Sequence, residues 1–394
     1  MSPKVSFVIP CYKLAHYLGD CLKSIFTQTF ADFEVLIMDD CSPDNTPEVA
    51  AGFKDPRVIH HRNPTNLGHI RNYNKGIEMT RGKYIWLISA DDCLRSQIVL
   101  KKYVDLLDKN PQVGYVFCPA MILRDGKEAG VEGILRWHRK RDDIISGREI
   151  VRYAAYSCPI LSPTALVRRE CYTRISMFQE NQPRTSDWYL WAMFAMKYDV
   201  GYFAEPMVYY REHTTNMELT MKAEQPALFY EQDLLTIWTL KDEAQKAGIE
   251  GLSEDFQRSI ADAYTKKLIS TKVEGWQYGR TWDDALREIK DHAANSEEVE
   301  EILRLIRIAW PARLAIGYYK AGQTDEAIEN FRFALAQHPR AIKTRVYLSL
   351  VRFERLFGIR LVPLIRSLIK SAASTLRWPI RQSLALWRLY FDKN

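Results

Sequence analysis

Five aspartates fall where a carboxylate could do chemistry. Asp39 and Asp40 end the run FEVLIMDD, Asp91 and Asp92 end YIWLISADD, and Asp187 opens DWYLWAMFA. Adjacent carboxylates repel unless a cation or bound ligand compensates them. A divalent ion bridging to diphosphate oxygens is the economical answer, because Mg2+ and Mn2+ take oxygen ligands and need few protein carboxylates. The competing reading is an acid that merely caps the next helix. Capping suits Asp44, whereas Asp91 and Asp92 together suit a metal and phosphate site. Asp187 either caps the apolar helix it opens or acts as a base beside aromatic residues able to stack on a sugar.

These residues matter together only if the chain brings them to one place. Strand-like apolar runs at Val5–Pro10, Phe33–Met38, Val58–His61, Tyr84–Ser89 and Val113–Cys118 begin 28, 25, 26 and 29 residues apart, the pitch of strand–helix–strand units. Each run reads as apolar on both faces, which predicts a parallel sheet buried under helices. Amphipathic stretches lie between them; in Tyr17–Thr27, Leu18, Cys21, Leu22 and Ile25 share one stripe. The expected fold class is therefore α/β, an open, mostly parallel sheet flanked by helices, with an all-α domain after it. Such sheets bind ligands beyond the carboxyl ends of their strands, where Pro10 to Tyr12, Asp39 to Ser42 and Ser89 to Asp92 fall. Neither G-x-G-x-x-G after the first strand nor G-x-x-x-x-G-K-[ST] occurs. Phosphates here must be met by metal and side chains instead of a glycine cradle.

Three ordered blocks span about residues 3–216: VSFVIPCYKLAHYLGDCLKSIFTQTFADFEVLIMDDCSPDNT, NLGHIRNYNKGIEMTRGKYIWLISADD, and SDWYLWAMFA followed by EPMVYYREH. They resemble the nucleotide-binding, metal-binding and catalytic blocks of family 2 glycosyltransferases with the GT-A fold. The resemblance implies that Pro10, Tyr12 and Asp40 hold the nucleoside, with Asp39 supporting the loop. It places Asp91 near the ribose and metal, makes Asp92 the principal ligand of a Mn2+ or Mg2+ ion, and has His213 close over the diphosphate or metal. Asp187 matches the general base. Arg71 and Asn74 are assigned to the nucleotide, and Thr164, Trp188 and Arg211 to the acceptor or sugar side. The chain departs from its relatives at Lys13, Ser89 and Ser186, at Ile175–Phe178, and at Tyr73, which stands where many relatives have Arg. The implied reaction is a single displacement with inversion. It moves a sugar from a UDP- or dTDP-sugar, since Asp40 suits a pyrimidine imide, to a saccharide or lipid-linked saccharide hydroxyl, as in assembly of surface polysaccharides. The alternatives are a non-catalytic nucleotide-binding scaffold and a nucleotidyltransferase.

Composition sets the frame. The 394 residues, 47% hydrophobic and 26% charged, are ordinary for a folded protein of two or three domains. Three parts are expected: a GT-A domain over 1–215, a helical domain over 216–358, and a tail over 359–394. In the helical part Ala315, Tyr318, Ala327, Phe331, Ala334 and Pro339 fall at the offsets of a tetratricopeptide repeat, a surface for a protein partner. From Arg355 to Phe391 there are seven basic residues and no acidic one, and apolar stripes carrying Trp387 and Phe391 suit an anionic membrane surface. Seven cysteines, none spaced C-x-x-C, suit a reducing compartment. No apolar run reaches the ~20 residues of a membrane span, and no leader pattern opens the chain. The expected location is the cytoplasm, at the inner face of the membrane. The net charge of +6 is too modest to demand nucleic acid, and none is expected.

Overall fold

Burial defines the central strands. In the computed structural model, which describes residues 2–133, 139–213, 217–275, 279–337, 339 and 341–357, β1 (Val5–Cys11) and β2 (Phe33–Asp39) are buried at every position. Covering helices on both faces require this. The two strands pair in parallel, from Val5 opposite Phe33 to Cys11 opposite Asp39. β3 (Val58–Arg62) and β4 (Tyr84–Leu87) continue the parallel ladder on either side. β3 departs from expectation: it is an edge strand, half-exposed along its length, and only its β2-facing side is protected.

The remaining strands are β5 (Cys93–Leu94), β6 (Val113–Phe117), β7 (Ala120–Arg124), β8 (Lys127–Glu132), β9 (Asp143–Ile145), β10 (Leu166–Arg168), β11 (Asp199–Tyr202) and β12 (Val208–Glu212). Eight strands form the main sheet in the order β3-β2-β1-β4-β10-β6-β11-β9. Two of them, β10 and β9, run against their neighbours. The other four form a smaller sheet, β5-β12-β7-β8, which the sequence pattern did not reveal.

Helices α1 (Ala15–Phe26), α2 (Thr46–Ala51), α3 (His69–Met79) and α4 (Val99–Lys109) connect the first strands, and α5 (Gly147–Ala154), α6 (Arg169–Arg174) and α7 (Ser186–Ala195) follow. Gly76 lets α3 lie close on the sheet, since a Cβ there would fall 2.5 Å from Val8 Cγ1. This is the mostly parallel, helix-flanked GT-A architecture expected from the sequence, and an all-α region follows it.

The chain divides into two compact units, residues 1–253 and 254–394. The expected boundary near 215 falls inside the first. After α8 (Met217–Glu224), helix α9 (Pro226–Lys246) is bonded into the first unit: Gln232 Oε1 accepts the Arg184 N–H at 2.7 Å and Thr236 Oγ1 donates to Gln182 Oε1 at 2.8 Å.

The second unit contains α10 (Ser253–Glu274), α11 (Trp282–His292), α12 (Ser296–Lys320), α13 (Thr324–Gln337) and α14 (Ile342–Phe357). Helices α12 and α13 form a hairpin around Gly322, whose φ of 80° is one that glycine adopts without strain. Ala315, Ala327, Ile328 and Phe331 pack with Tyr347 and Val351 of α14. The 25 residues of α12 exceed what half of a roughly 34-residue repeat supplies, so a helical hairpin is what these residues build. Among the described residues no helix is long and apolar enough to cross a membrane. The tail over 359–394 lies outside the described residues, and so do residues 136–138 of the basic run RWHRKR, residues 136–141.

Candidate active site

Three loops meet at the carboxyl edge of the neighbouring strands β2, β1 and β4. The Asp40 N–H bonds Cys11 O at 3.0 Å and the Ala90 N–H bonds Pro10 O at 3.2 Å, so backbone pairing continues past the strand ends and draws the loops together. Lys13 and Cys41 hold left-handed backbone, at φ 59° and 57°, which costs a non-glycine residue roughly 1–3 kcal/mol. Lys13 is held there by its N–H, which donates to Ser42 Oγ at 2.7 Å, while the Ser42 N–H donates to Asp39 Oδ1 at 2.8 Å. Asp39 is fully buried and also takes Arg62 at 2.6 Å, which makes it the organiser of this loop. Asp44 does more than cap: it accepts from Ala15 at the head of α1 and from Thr46 at the head of α2. Tyr12 projects outward, 40% exposed, with Lys13 Nζ 5.1 Å from its ring centre.

Asp40 is buried and accepts from Asn63 Nδ2 (2.9 Å), Leu67 N (2.8 Å) and Gly68 N (3.0 Å). Its carboxylate therefore shapes the loop entering α3, and Oδ2 keeps capacity for a further donor. Asn63 also donates to Asn72 Oδ1 at 2.8 Å and accepts from Lys75 Nζ at 2.8 Å. This polar network escaped the sequence reading; its only trace there is the run of Asn72, Asn74 and Lys75 on an otherwise amphipathic helix.

Two residues expected on the nucleotide are committed elsewhere. Asn74 Nδ2 donates to Phe178 O at 2.9 Å and its Oδ1 accepts the Phe178 N–H at 3.0 Å, so its amide is a clamp on the 178 loop. Arg71 forms an exposed ion pair with Glu180 at 2.8 Å.

The Asp91–Asp92 turn is fixed from β12. The Arg211 N–H donates to Asp92 Oδ1 at 3.0 Å and Arg211 Nε to the Asp91 carbonyl at 2.9 Å, while its guanidinium lies 4.4 Å from the centre of the Tyr17 ring. Arg211, expected on the sugar side, thus positions the acidic turn. His213 Nε2 lies 2.9 Å from Asp91 Oδ2, and Asp91 Oδ1 is buried with no protein partner. Burial, and then the neighbouring Asp91, push the Asp92 carboxyl well above the usual carboxylate range. An orphaned carboxylate oxygen beside a second buried carboxyl is the electrostatic situation a divalent cation relieves. Asp91 and Asp92 carry the oxygens that such an ion would take. Among the described residues no three His, Cys, Asp or Glu side chains are arranged to cage a metal by themselves.

Asp187 occupies the first turn of α7, where its two oxygens differ. Oδ1 accepts the Trp188 N–H at 2.7 Å, and Oδ2 accepts from Ser162 Oγ at 2.9 Å. Burial raises its carboxyl despite these bonds and the nearby Arg184. Ser162 is a functional candidate that sequence reasoning missed, because 25 residues separate it from its partner and no motif marks it.

Two sugar-side expectations are corrected. Trp188 is 5% exposed with its indole N–H on Ala154 O at 2.7 Å, and Thr164 is fully buried with its hydroxyl on Leu161 O. Both are core residues. Arg139, in the basic run, is held by Asp143 and by Glu149 at 2.6 Å.

Burial raises the Tyr73 phenol, and the charges of Asp91, Asp187 and Asp92 raise it further.

The main sheet is of GT-A type with acidic groups at its carboxyl edge, and the comparisons bear on what it does. Residues 6–171 match the family model described as Glycosyl transferase family 2. These residues therefore carry a family 2 glycosyltransferase domain, and a helical region follows it. The chain is 27% identical over 234 residues to an uncharacterized glycosyltransferase of Rickettsia typhi, covering 58% of this chain and 71% of the relative. It is 30% identical over 117 residues to glycosyltransferase GlyG of Streptococcus pneumoniae, covering 29% of this chain and 38% of that protein. Among solved structures, S. aureus TarS 1–349 in complex with UDP-GlcNAc superposes with a TM-score of 0.55 at 17% identity, covering 86% of this chain and 92% of the other. At that identity the likeness concerns the fold.

Proposed function

We propose that the protein transfers a sugar, with inversion, from a UDP- or dTDP-sugar to a hydroxyl of a saccharide or lipid-linked saccharide. The observation that carries this is the buried Asp91–Asp92 turn at the carboxyl edge of the sheet, tied to β12 through Arg211 and His213, within the domain that matches the family 2 model. The fold neighbour TarS 1–349, crystallised with UDP-GlcNAc, supports a uridine donor. Pro10, Tyr12 and the remaining capacity of Asp40 Oδ2 receive the nucleoside. The acceptor hydroxyl lies at Asp187 Oδ2, which takes its proton as the oxygen attacks the anomeric carbon. The bond from that carbon to the diphosphate oxygen breaks, and the nucleoside diphosphate departs with the electron pair. A single base without a second carboxylate beside it as nucleophile gives one displacement, hence inversion. A Mn2+ or Mg2+ ion, held by Asp92 and His213 with Asp91, supplies charge stabilisation to the departing diphosphate when bound.

Incubation with UDP-glucose, UDP-galactose, UDP-GlcNAc and dTDP-rhamnose tests this reading. One of them is expected to be hydrolysed slowly to free nucleoside diphosphate with Mn2+, and not after chelation. Release of pyrophosphate instead would indicate nucleotidyl transfer, and tight binding with no turnover a non-catalytic scaffold. The basic tail supports a further part of the reading, a cytoplasmic enzyme resting on the anionic inner face of a membrane, where a lipid-linked acceptor would be presented. The helical unit supports a protein partner.

A further inference from the structure

The head of α7 is held by a helix that lies beyond the segment matching the family model. That segment ends at residue 171, whereas α9 runs from Pro226 to Lys246. Between α9 and the chain entering α7, Gln182, Thr185, Gln232 and Thr236 are all buried. Buried polar side chains persist where they are bonded, and these bond one another's segments. Gln232 Oε1 accepts the Arg184 N–H at 2.7 Å and, at 3.3 Å, the Thr185 N–H, which it shares with Gln182 O. Thr236 Oγ1 donates to Gln182 Oε1 at 2.8 Å and lies 2.7 Å from Thr185 Oγ1. The Arg184 side chain runs onto the same helix, with Nε on Phe229 O at 2.9 Å and an ion pair to Asp233.

This seam fixes the turn that carries Asp187. Thr185 is the N-cap of α7, and its carbonyl accepts the Tyr189 N–H at 2.9 Å. Its hydroxyl makes no capping bond to the helix; it meets Thr236 instead. A head built for local stability alone would use that hydroxyl as its own cap. Here the cap is spent on α9, which sets the register of one helix against the other. Gln232 shows the same priority. Its oxygen serves two backbone N–H groups of the turn while its Nε2 is buried with no partner. Two residues beyond Thr185, Asp187 places Oδ2 2.9 Å from Ser162 Oγ, on the far side of the turn that α9 holds.

We propose that α9 is a positioning element for the reaction: Gln232 and Thr236 set the head of α7 and, through it, the place of the Asp187 carboxylate. This rests on the reading of Asp187 as the base.

Gln232→Met and Thr236→Val keep the volume and remove the bonds, and Thr236→Ser keeps the hydroxyl. Each is made in the full chain, alone and together with Asp187→Asn. Hydrolysis of the four sugar nucleotides named above is followed in Mn2+, below the melting temperature of every variant. Gln232→Met and Thr236→Val are expected to lower kcat about ten- to hundredfold, as a displacement of about 1 Å does. KM and UDP affinity should be unchanged, and Thr236→Ser should turn over as wild type does. Thr236→Val leaves the Gln232 bonds in place, so it carries the test if Gln232→Met does not fold. On the Asp187→Asn background neither lesion should cost anything further, because no base is left to misplace. An unchanged kcat in the folded lesions overturns the proposal alone. A loss repeated in full on the Asp187→Asn background, or matched by a loss of UDP affinity, makes the seam a structural support and also overturns it. Normal turnover by Asp187→Asn, or a wild type that hydrolyses none of the four, sinks the reading of the base, and this proposal with it.

Discussion

Asp187 divides its work between its oxygens: Oδ1 closes the first turn of α7 through the Trp188 N–H, and Oδ2 faces Ser162. Cap and base, alternatives in the sequence, are therefore compatible in one side chain. Asp187→Asn keeps the size and can still accept the Trp188 N–H, but it cannot take a proton. Turnover is expected to fall at least ~10²-fold with nucleotide affinity and melting temperature unchanged; normal turnover in a protein that melts earlier would leave only the cap. Ser162→Ala separates orientation from chemistry. The hydroxyl bonds the charged form of Asp187, so removing it disfavours ionisation and raises a carboxyl that burial has already raised. Activity depends on the carboxylate and is lost as pH falls through this pKa. The acid limb of kcat/KM should therefore move to higher pH, with activity regained at alkaline pH. Arg184, which favours the charged form, is present in both proteins and leaves the difference intact. An unmoved acid limb would show that Oδ2 does not receive the proton.

Helix α3 connects the Asp40 loop to the 178 loop, with Gly68 at its head bonded to Asp40 and Asn74 bonded to Phe178. Asn74→Ala leaves the Phe178 N–H and C=O without partners, at a cost of about 1–3 kcal/mol, measurable by urea unfolding. UDP affinity at low temperature is expected to change little. Weaker UDP binding without loss of stability would return Asn74 to the nucleotide. The sequence made the parallel core and the acidic strand ends legible because they are continuous: an apolar run and its terminal carboxylates are one stretch of chain. Ser162 was not readable in the same way, since its meaning comes from a residue 25 positions away. Trp188 misled because an aromatic next to a candidate base resembles a sugar platform. The helix it belongs to is apolar nearly all round and buries Trp188, Leu190, Trp191 and Phe194 together, the pattern of a helix enclosed by protein. The smaller sheet was hidden by brevity and polarity: β5 is two residues long and β8 is mostly exposed charge and glycine.

At the scale of the molecule, the first unit carries every candidate site residue, and its limit at Ser253 comes after α9 because Gln232 and Thr236 are bonded to the segment that leads into α7. The basic tail is tested on the whole protein. Full-length chain is expected to sediment with anionic vesicles at low salt and to release as salt rises, each basic residue contributing about 1 kcal/mol at most. A chain ending at Gly358 should stay in solution, and identical behaviour of the two would retire the membrane role. The main sheet itself has a consequence for how such an enzyme diversifies. β10 lies between β4 and β6 and runs against both, so the chain that leaves the ligand edge after β6 returns to that same edge to begin β10. Residues 118–165 are thus a closed excursion that starts and finishes at the rim of the cleft and contributes β7, β8, β9 and α5 along the way. An excursion whose two ends are neighbours can change in length and sequence without altering the register of β1, β2 and β4, provided that Ser162 keeps its place beside Asp187.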